Sequence, residues 1–243
     1  MIKLCFNISI NKEPEELEER FDASFDKGID FQKVYHVSAL DSPSLPVLTA
    51  DNPERFQFFR WGLVPHWVKD KEQAEDIRLK TVNARAETLF EKPSYREPIE
   101  NKRCLVVADG FFEWREIGGK NYPYYIKLKN DEAFAFAGIW DRWDMDPDYR
   151  SFSIITTEAN PLLAKIHNKK KRMPVILNDE KRWLEKDIGR EDIDEMLKPY
   201  DEEKMEAYPI RRLITQKELN DNVPEVLEPY HYRELDFEQK TLF

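Results

Sequence analysis

The chain has 243 residues, 41% of them hydrophobic and 13% aromatic, enough to build a real core in one large domain or two small ones. Charged residues make up 35% and the formal net charge is −10, which excludes compositional disorder and argues against broad, non-specific attraction to nucleic acid. Its two cysteines, Cys5 and Cys104, form neither a metal pattern nor a disulfide framework, and no apolar run is long enough to span a membrane, so a cytoplasmic protein without metal or cofactor is expected.

Residues 4–10 alternate loosely and suit a first strand. Pro14, an acidic first turn and the stripe Leu17, Phe21, Phe25 predict a helix over 14–25. Pro43, Pro46 and Pro53 mark 41–53 as a loop, and 58–64 reads as a strand ended by Pro65. Residues 69–80 are highly charged and lack a clean period, which predicts an exposed connection. Asn83 reads as the cap of a short helix that Pro93 ends.

The run Leu105 to Ala108, the pair Asp109-Gly110 and the aromatics Phe111, Phe112 and Trp114 predict a β-hairpin over 103–115. Gly118-Gly119 marks a further turn. Residues 124–128 and 134–140 are expected to pair as strands, and 152–156 is another. Asn160-Pro161 has the form of a cap followed by the first helical position, so a short helix delivers His167 at its end. A strand over 173–177, helices over 179–187 and 191–197, and a loop-rich segment over 213–232 complete the reading. No repeat or Gly/Ser linker interrupts it. The expectation is one α+β domain on curved, mostly antiparallel sheet with peripheral helices.

Four residues carry candidate chemistry, and each has a plainer alternative. Glu113 sits among aromatics, where lost hydration raises a carboxyl pKa toward neutrality. Strand alternation puts it on one face with Phe111 and Arg115, opposite Phe112 and Trp114, unless Arg115 merely neutralises it on a solvated face. Cys5 is a nucleophile or a small buried hydrophobe. Asn83 is a site residue or only a cap. His167 is a proton carrier or a complement to a helix C-terminus. His36, His66 and His231 have no ligand spacing. Acid concentrates at 13–19, 191–195 and 201–206, whereas residues 165–172 carry cations and no acid.

Ordered strings then point to a family. They are R-W-G-L-V-P-H-W at 60–67, N-A-R-A-E-T at 83–88, R-C-L-V-V-A-D-G-F-F-E-W at 103–114 and A-G-I-W-D at 137–141. F-S-I-I-T-T-E-A-N at 152–160, I-H at 166–167, R-M-P-V-I-L at 172–177 and N-D-N-V-P-E-V-L-E-P at 220–229 follow in order. Over these strings the chain resembles the SOS response-associated peptidase family, whose members attach to abasic sites in single-stranded DNA. The resemblance implies Cys5 as nucleophile, Asn83 positioning it, and Glu113 and His167 moving protons. It implies contacts to single-stranded DNA from Arg85, Arg60, Thr156, Lys169, Lys170, Lys171 and Arg172, with Trp61, Trp67 and Trp114 stacking on or shielding bases. It also implies self-processing by the same Cys5, Glu113 and His167. The expected partner is abasic single-stranded DNA, bound by a monomer that is nucleoid-associated when loaded. A thiol peptidase acting on other proteins and a non-covalent DNA-binding module are the alternatives.

The chain departs from the family pattern in three places. Family members begin Met-Cys, whereas Met-Ile-Lys-Leu precedes Cys5 here, and an internal cysteine has an amide nitrogen that forms no imine. Residues 1–4 are therefore expected to be absent or removed in the active form, with 5–232 as the domain and 233–243 as a tail; retention of 1–4 would leave non-covalent binding alone. Asn7 stands where the family has an arginine that grips DNA. Four residues separate His167 from Arg172, where many members have one.

Overall fold

The aspartate–glycine pair at 109–110 closes no hairpin. In the computed structural model, which describes residues 6–212 and 222–239, the chain passes there from one sheet into another. The strands are β1 (Asn7–Ile10), β2 (Val34–Ser38), β3 (Ser44–Thr49), β4 (Asn52–Trp61), β5 (Asn83–Arg85), β6 (Arg103–Ala108), β7 (Gly110–Ile117), β8 (Lys120–Leu128), β9 (Phe134–Arg142), β10 (Arg150–Glu158), β11 (Arg172–Pro174) and β12 (Met205–Pro209). One sheet has the order β12-β8-β7-β1-β2 and the other β11-β10-β4-β3-β6-β9, with β5 paired to β10. Pairing is antiparallel except where β10 meets β4 and β5. A single α+β domain results, as the sequence predicts.

The core lies between the sheets. Ile8, Phe111 and Ile126 from the first join Val47, Phe59, Phe136 and Phe152 from the second in one buried cluster, and the rings of Phe111 and Phe136 meet edge to face at 5.8 Å. A smaller cluster on the other side of β7 holds Phe112, Tyr125 and Ile210, with Trp114 packed against it.

At the crossing, the buried carboxylate of Asp109 accepts from Ser9 Oγ at 2.6 Å and from the Asn11 amide at 2.6 Å. Ser9 Oγ also lies 2.9 Å from the Tyr125 hydroxyl. Gly110 is needed for space: a Cβ there would fall 2.2 Å from Tyr125 Oη and 2.3 Å from its Cζ. The expected second turn does form, with Gly118 and Gly119 both at positive φ between β7 and β8. The expected pairing of 124–128 with 134–140 does not, because β8 pairs with β7 and β12 while β9 pairs with β6 and β10.

Three further expectations change. Residues 44–49 of the proline-rich stretch form β3, a strand between β4 and β6. Pro46 is accommodated because it pairs with Phe58 of β4, while pairing with β6 begins only at Val47. The charged 69–80 stretch holds helix α2 (Lys71–Arg78), capped by Asp70 accepting from the Gln73 amide. Its period is weak because Ala74 is its one buried residue. Asn83 caps nothing; it lies in β5 opposite Ile154.

Helix α1 (Pro14–Phe21) stops short of residue 25 at Asp22, in the left-handed region with φ 51°. The remaining helices are α3 (Arg96–Asn101), α4 (Pro161–Ile166), α5 (Glu180–Leu184), α6 (Arg190–Met196) and α7 (Arg233–Gln239), the last falling where a tail is expected. Leu235 of α7 packs against the main core. Residues 1–5 and 213–221 lie outside the described residues. No described helix is long and apolar enough to cross a membrane.

Gly110→Ala is expected to destabilise the fold by ~1–3 kcal/mol or more through overpacking against the Tyr125 ring. Urea unfolding measures it, and a parent-like midpoint would show that the ring yields freely.

Candidate functional site

Two buried titratable groups sit on elements that pack together. Glu113 is 2% exposed on β7, directly across from Tyr124 of β8, on the same face as Phe111. The reading of this residue as a carboxylate on a solvated face is thereby excluded. Helix α4 packs on β7 and ends at His167, which is 1% exposed. Asn160 caps that helix by accepting from the Leu163 amide at 2.8 Å, as the Asn-Pro pair predicts.

The His167 ring is committed on one side only. Its Nδ1 lies 3.0 Å from the Arg172 carbonyl oxygen, so Nδ1 carries the proton and donates it. Among the described residues Nε2 is buried without a hydrogen-bond partner, and it keeps its lone pair. Burial pushes the imidazole pKa below its usual 6.5, and the positive charges of Lys170 and Arg172 act in the same direction against the backbone hydrogen bond. The structure thus holds a neutral imidazole with a bare nitrogen, a group able to take a proton.

A second set of residues gathers through β10. Ile154 pairs with Asn83 and Thr156 with Arg85 across β5, and Thr156 pairs with Pro174 across β11. Arg172 reaches the Thr156 carbonyl at 2.5 Å and forms a two-pronged ion pair with Glu87 at 2.6 and 3.0 Å. The guanidinium holds the Glu87 carboxyl below its usual range. Asn83, Arg85, Thr156, Arg172 and His167 therefore belong to one neighbourhood. Arg172 is 9% exposed and Thr156 fully buried, so both are engaged within the protein rather than open on its surface as DNA contacts would be.

The other expected DNA contacts divide. Trp61 is fully buried, donates from Nε1 to the Val82 carbonyl at 3.0 Å and stacks on Phe152; both faces of its ring are therefore unavailable to a base. Arg60 pairs with Ser151, five positions from Thr156 along β10, or roughly 16 Å away at strand rise, and its guanidinium lies over the Tyr149 ring. Trp67 is 46% exposed. Trp114 sits on the face of β7 opposite Glu113. Arg85, Lys170 and Lys171 are exposed, while Lys169 is ion-paired to Glu116. Cys5 lies outside the described residues. The first pairs of β1, Ile8 with Phe111 and Ser9 with Gly110, run so that each step toward the N-terminus moves one residue toward Glu113.

Two residues escaped the sequence reading. His36 is buried, with Nε2 3.0 Å from Asn7 Oδ1 and its ring edge-on to Phe112, so Asn7 has a partner within the protein. Asn168, one residue past His167, exchanges two hydrogen bonds with the Glu116 backbone of β7. Neither has a local signal, because both partners are distant in sequence. Among the described residues no cluster of His, Cys, Asp and Glu is arranged to hold a metal ion.

The family profile described as SOS response associated peptidase (SRAP) matches residues 4–217. The chain belongs to that family. It is 43% identical over 206 residues to the abasic site processing protein YoqW of Bacillus subtilis, covering 81% of this chain and 88% of that protein. To the abasic site processing protein HMCES of Gallus gallus it is 31% identical over 208 residues, covering 74% of this chain and 59% of the other. A crystal structure of a protein from Bacteroides thetaiotaomicron superposes with a TM-score of 0.85 at 40% identity, covering 93% of this chain and all of that one. Family membership thus agrees with the ordered sequence strings.

His167 is expected to titrate below 6.5, followed through its ring protons by NMR. Folding favours the neutral ring, so its contribution to stability is present above pH 6.5 and is lost as pH falls from 6.5 toward the lower folded value. A ring titrating at or above 6.5 would contradict the buried geometry.

Proposed function

We propose that the protein recognises abasic sites in single-stranded DNA and joins to them covalently through Cys5, once residues 1–4 are gone and Cys5 carries the free α-amine. The observation that carries the reading is the neutral, half-committed imidazole of His167 on a helix packed against the strand of buried Glu113, in a family with relatives named for abasic site processing. An abasic residue in a single strand is already unstacked, so no base has to be flipped from a duplex.

The chemistry needs two proton carriers and one residue with both amine and thiol. A free α-amine has a pKa of about 8, so a useful fraction is neutral at pH 7, unlike a lysine amine. That amine attacks the aldehyde of the ring-opened sugar, forming the C–N bond, and the carbinolamine loses water to give an imine. The Cys5 thiol then adds across the C=N bond: a C–S bond forms, and the thiol proton ends on the nitrogen of a thiazolidine ring. Glu113 supplies the proton that lets water leave, and His167 accepts and returns a proton at Nε2. Asn83 orients the nucleophile, while Arg85, Lys170 and Lys171 face phosphate. Self-removal of residues 1–4 draws on the same Cys5, Glu113 and His167.

Electrostatics support a local approach by DNA rather than a general one. Two surface concavities of about 470 and 450 Å³ carry a net acidic lining, Glu18, Asp22 and Glu54 beside Arg55 in one and Glu13, Glu15 and Asp30 beside Lys33 in the other, chemistry unsuited to a polyanion. Binding through the few exposed cations should weaken with salt, with a slope set by the few phosphates neutralised.

Protein with Cys5 confirmed as its first residue by intact mass is incubated with single-stranded DNA containing one abasic site, and products are separated under denaturing conditions. A band surviving denaturation is expected, absent with Cys5→Ala and slowed ~10²-fold or more with Glu113→Gln or His167→Ala. Survival of the band in Cys5→Ala would overturn the assignment. No band, with salt-sensitive binding alone, would select the non-covalent module, and peptide cleavage indifferent to DNA would select the thiol peptidase.

A further inference from the structure

His167 and Glu113 stand on segments distant in the chain, and something must hold the two in register. Most of the polar bonds around His167 stay within its own segment. Its amide donates to the Leu163 carbonyl at 2.7 Å, its carbonyl accepts from the Lys171 amide at 2.8 Å, and its ring donates to the Arg172 carbonyl. These fix the shape of the 161–172 segment, and Arg172 ties its far end to β10 and Glu87, but none of these bonds reaches β7.

Asn168 crosses that boundary. Its Nδ2 donates to the Glu116 carbonyl at 2.8 Å, and its Oδ1 accepts from the Glu116 amide at 3.2 Å. One side-chain amide thus copies the donor–acceptor pair that a neighbouring strand would offer, on the edge of β7 that β1 pairs only as far as Phe111. Lys169 adds an ion pair to the Glu116 carboxylate. Glu116 is three residues from Glu113, about 10 Å along the strand, and Asn168 is bonded directly to His167. The clasp therefore ties the peptide next to one proton carrier to the strand of the other.

We propose that Asn168 is a positioning residue that sets His167 against Glu113 for the cross-linking reaction. The proposal rests on the reading of His167 as a proton carrier given above. Reacting groups tolerate little displacement, since a misplacement of about 1 Å can slow a reaction ~10²-fold. Asn168 is exposed, so its loss removes no buried side chain and acts on local geometry. Lys169 is the weaker half of the clasp, because an exposed ion pair contributes little and is screened by salt.

The test separates rate from affinity. With the Cys5-terminal protein and saturating abasic single-stranded DNA, Asn168→Ala is expected to slow cross-linking ~10- to 100-fold, while its Kd for the same DNA stays within about twofold of the parent. Asn168→Asp keeps the acceptor for the Glu116 amide and loses the donor, so an intermediate rate is expected. It also provides a second reading should the alanine variant unfold. In a His167→Ala background, Asn168→Ala should add no further slowing, which a purely structural loss would not reproduce. Parent-like rates for both Asn168 variants, with His167→Ala still slow, would overturn the clasp and leave the role of His167 standing. A parent-like rate for His167→Ala would remove the reading beneath it, and the proposal with it.

Discussion

The carboxylate of Asp109 fixes the start of the fold to its middle. It lies where the chain leaves β6 for β7, and it accepts two short hydrogen bonds from β1 and the residue after it, Ser9 Oγ and the Asn11 amide. Burial pushes its pKa up, and those two bonds together with Lys12 pull the other way. Hydrogen bonds to a charged group contribute roughly 1.5–3 kcal/mol each, and losing a partner leaves a buried charge exposed to the full desolvation penalty. The register of β1 on β7 is thereby pinned, Ile8 against Phe111. Every argument about what the N-terminal residues can reach begins from that register.

The same corner explains where the sequence misleads. An aspartate–glycine pair between apolar runs is a local turn signal, but strand partners are chosen by long-range packing. Here Asp109 is taken by Ser9 and Asn11, and Gly110 answers to the ring of Tyr125 rather than to a positive φ. Pro46 punctuates the sequence as a loop residue, yet sits in a strand because pairing on one side starts one residue later. Helix α2 hides because its buried stripe comes down to a single alanine. Short-range features fared better: the Asn160 cap, the helix it opens and the delivery of His167 at its end were all legible, since each depends on residues a turn apart. Alternation along β7 was legible too, and it separated Glu113 from Trp114 correctly.

Charge shows the limit of counting from sequence. The run 165–172 reads as a basic patch against a net charge of −10, yet the fold engages part of it internally. Arg172 is held by Glu87 and the Thr156 carbonyl, and Lys169 by Glu116. Arg172 in turn shapes His167, since its carbonyl fixes the ring tautomer while its guanidinium braces β10. A residue expected to contact phosphate is thus part of the scaffold that fixes which nitrogen of the His167 ring carries the proton. Tryptophan counting fails in the same way: Trp61 and Trp67 lie six residues apart, one sealed in the core and one half exposed.

A buried histidine with one nitrogen bare is an unfavourable arrangement for stability alone, because an unmet polar atom away from water costs about 1–3 kcal/mol. The fold nevertheless encloses His167 and surrounds it with positive charge that further opposes its protonation. An apolar side chain of similar size at the end of α4 would meet the packing requirement without that cost. What an apolar side chain lacks is a lone pair poised beside β7. On the proposed function, the energetic disadvantage at Nε2 is the condition for accepting a proton, and the hydrogen bonds of Asn160, Arg172 and Asn168 hold the segment that carries it.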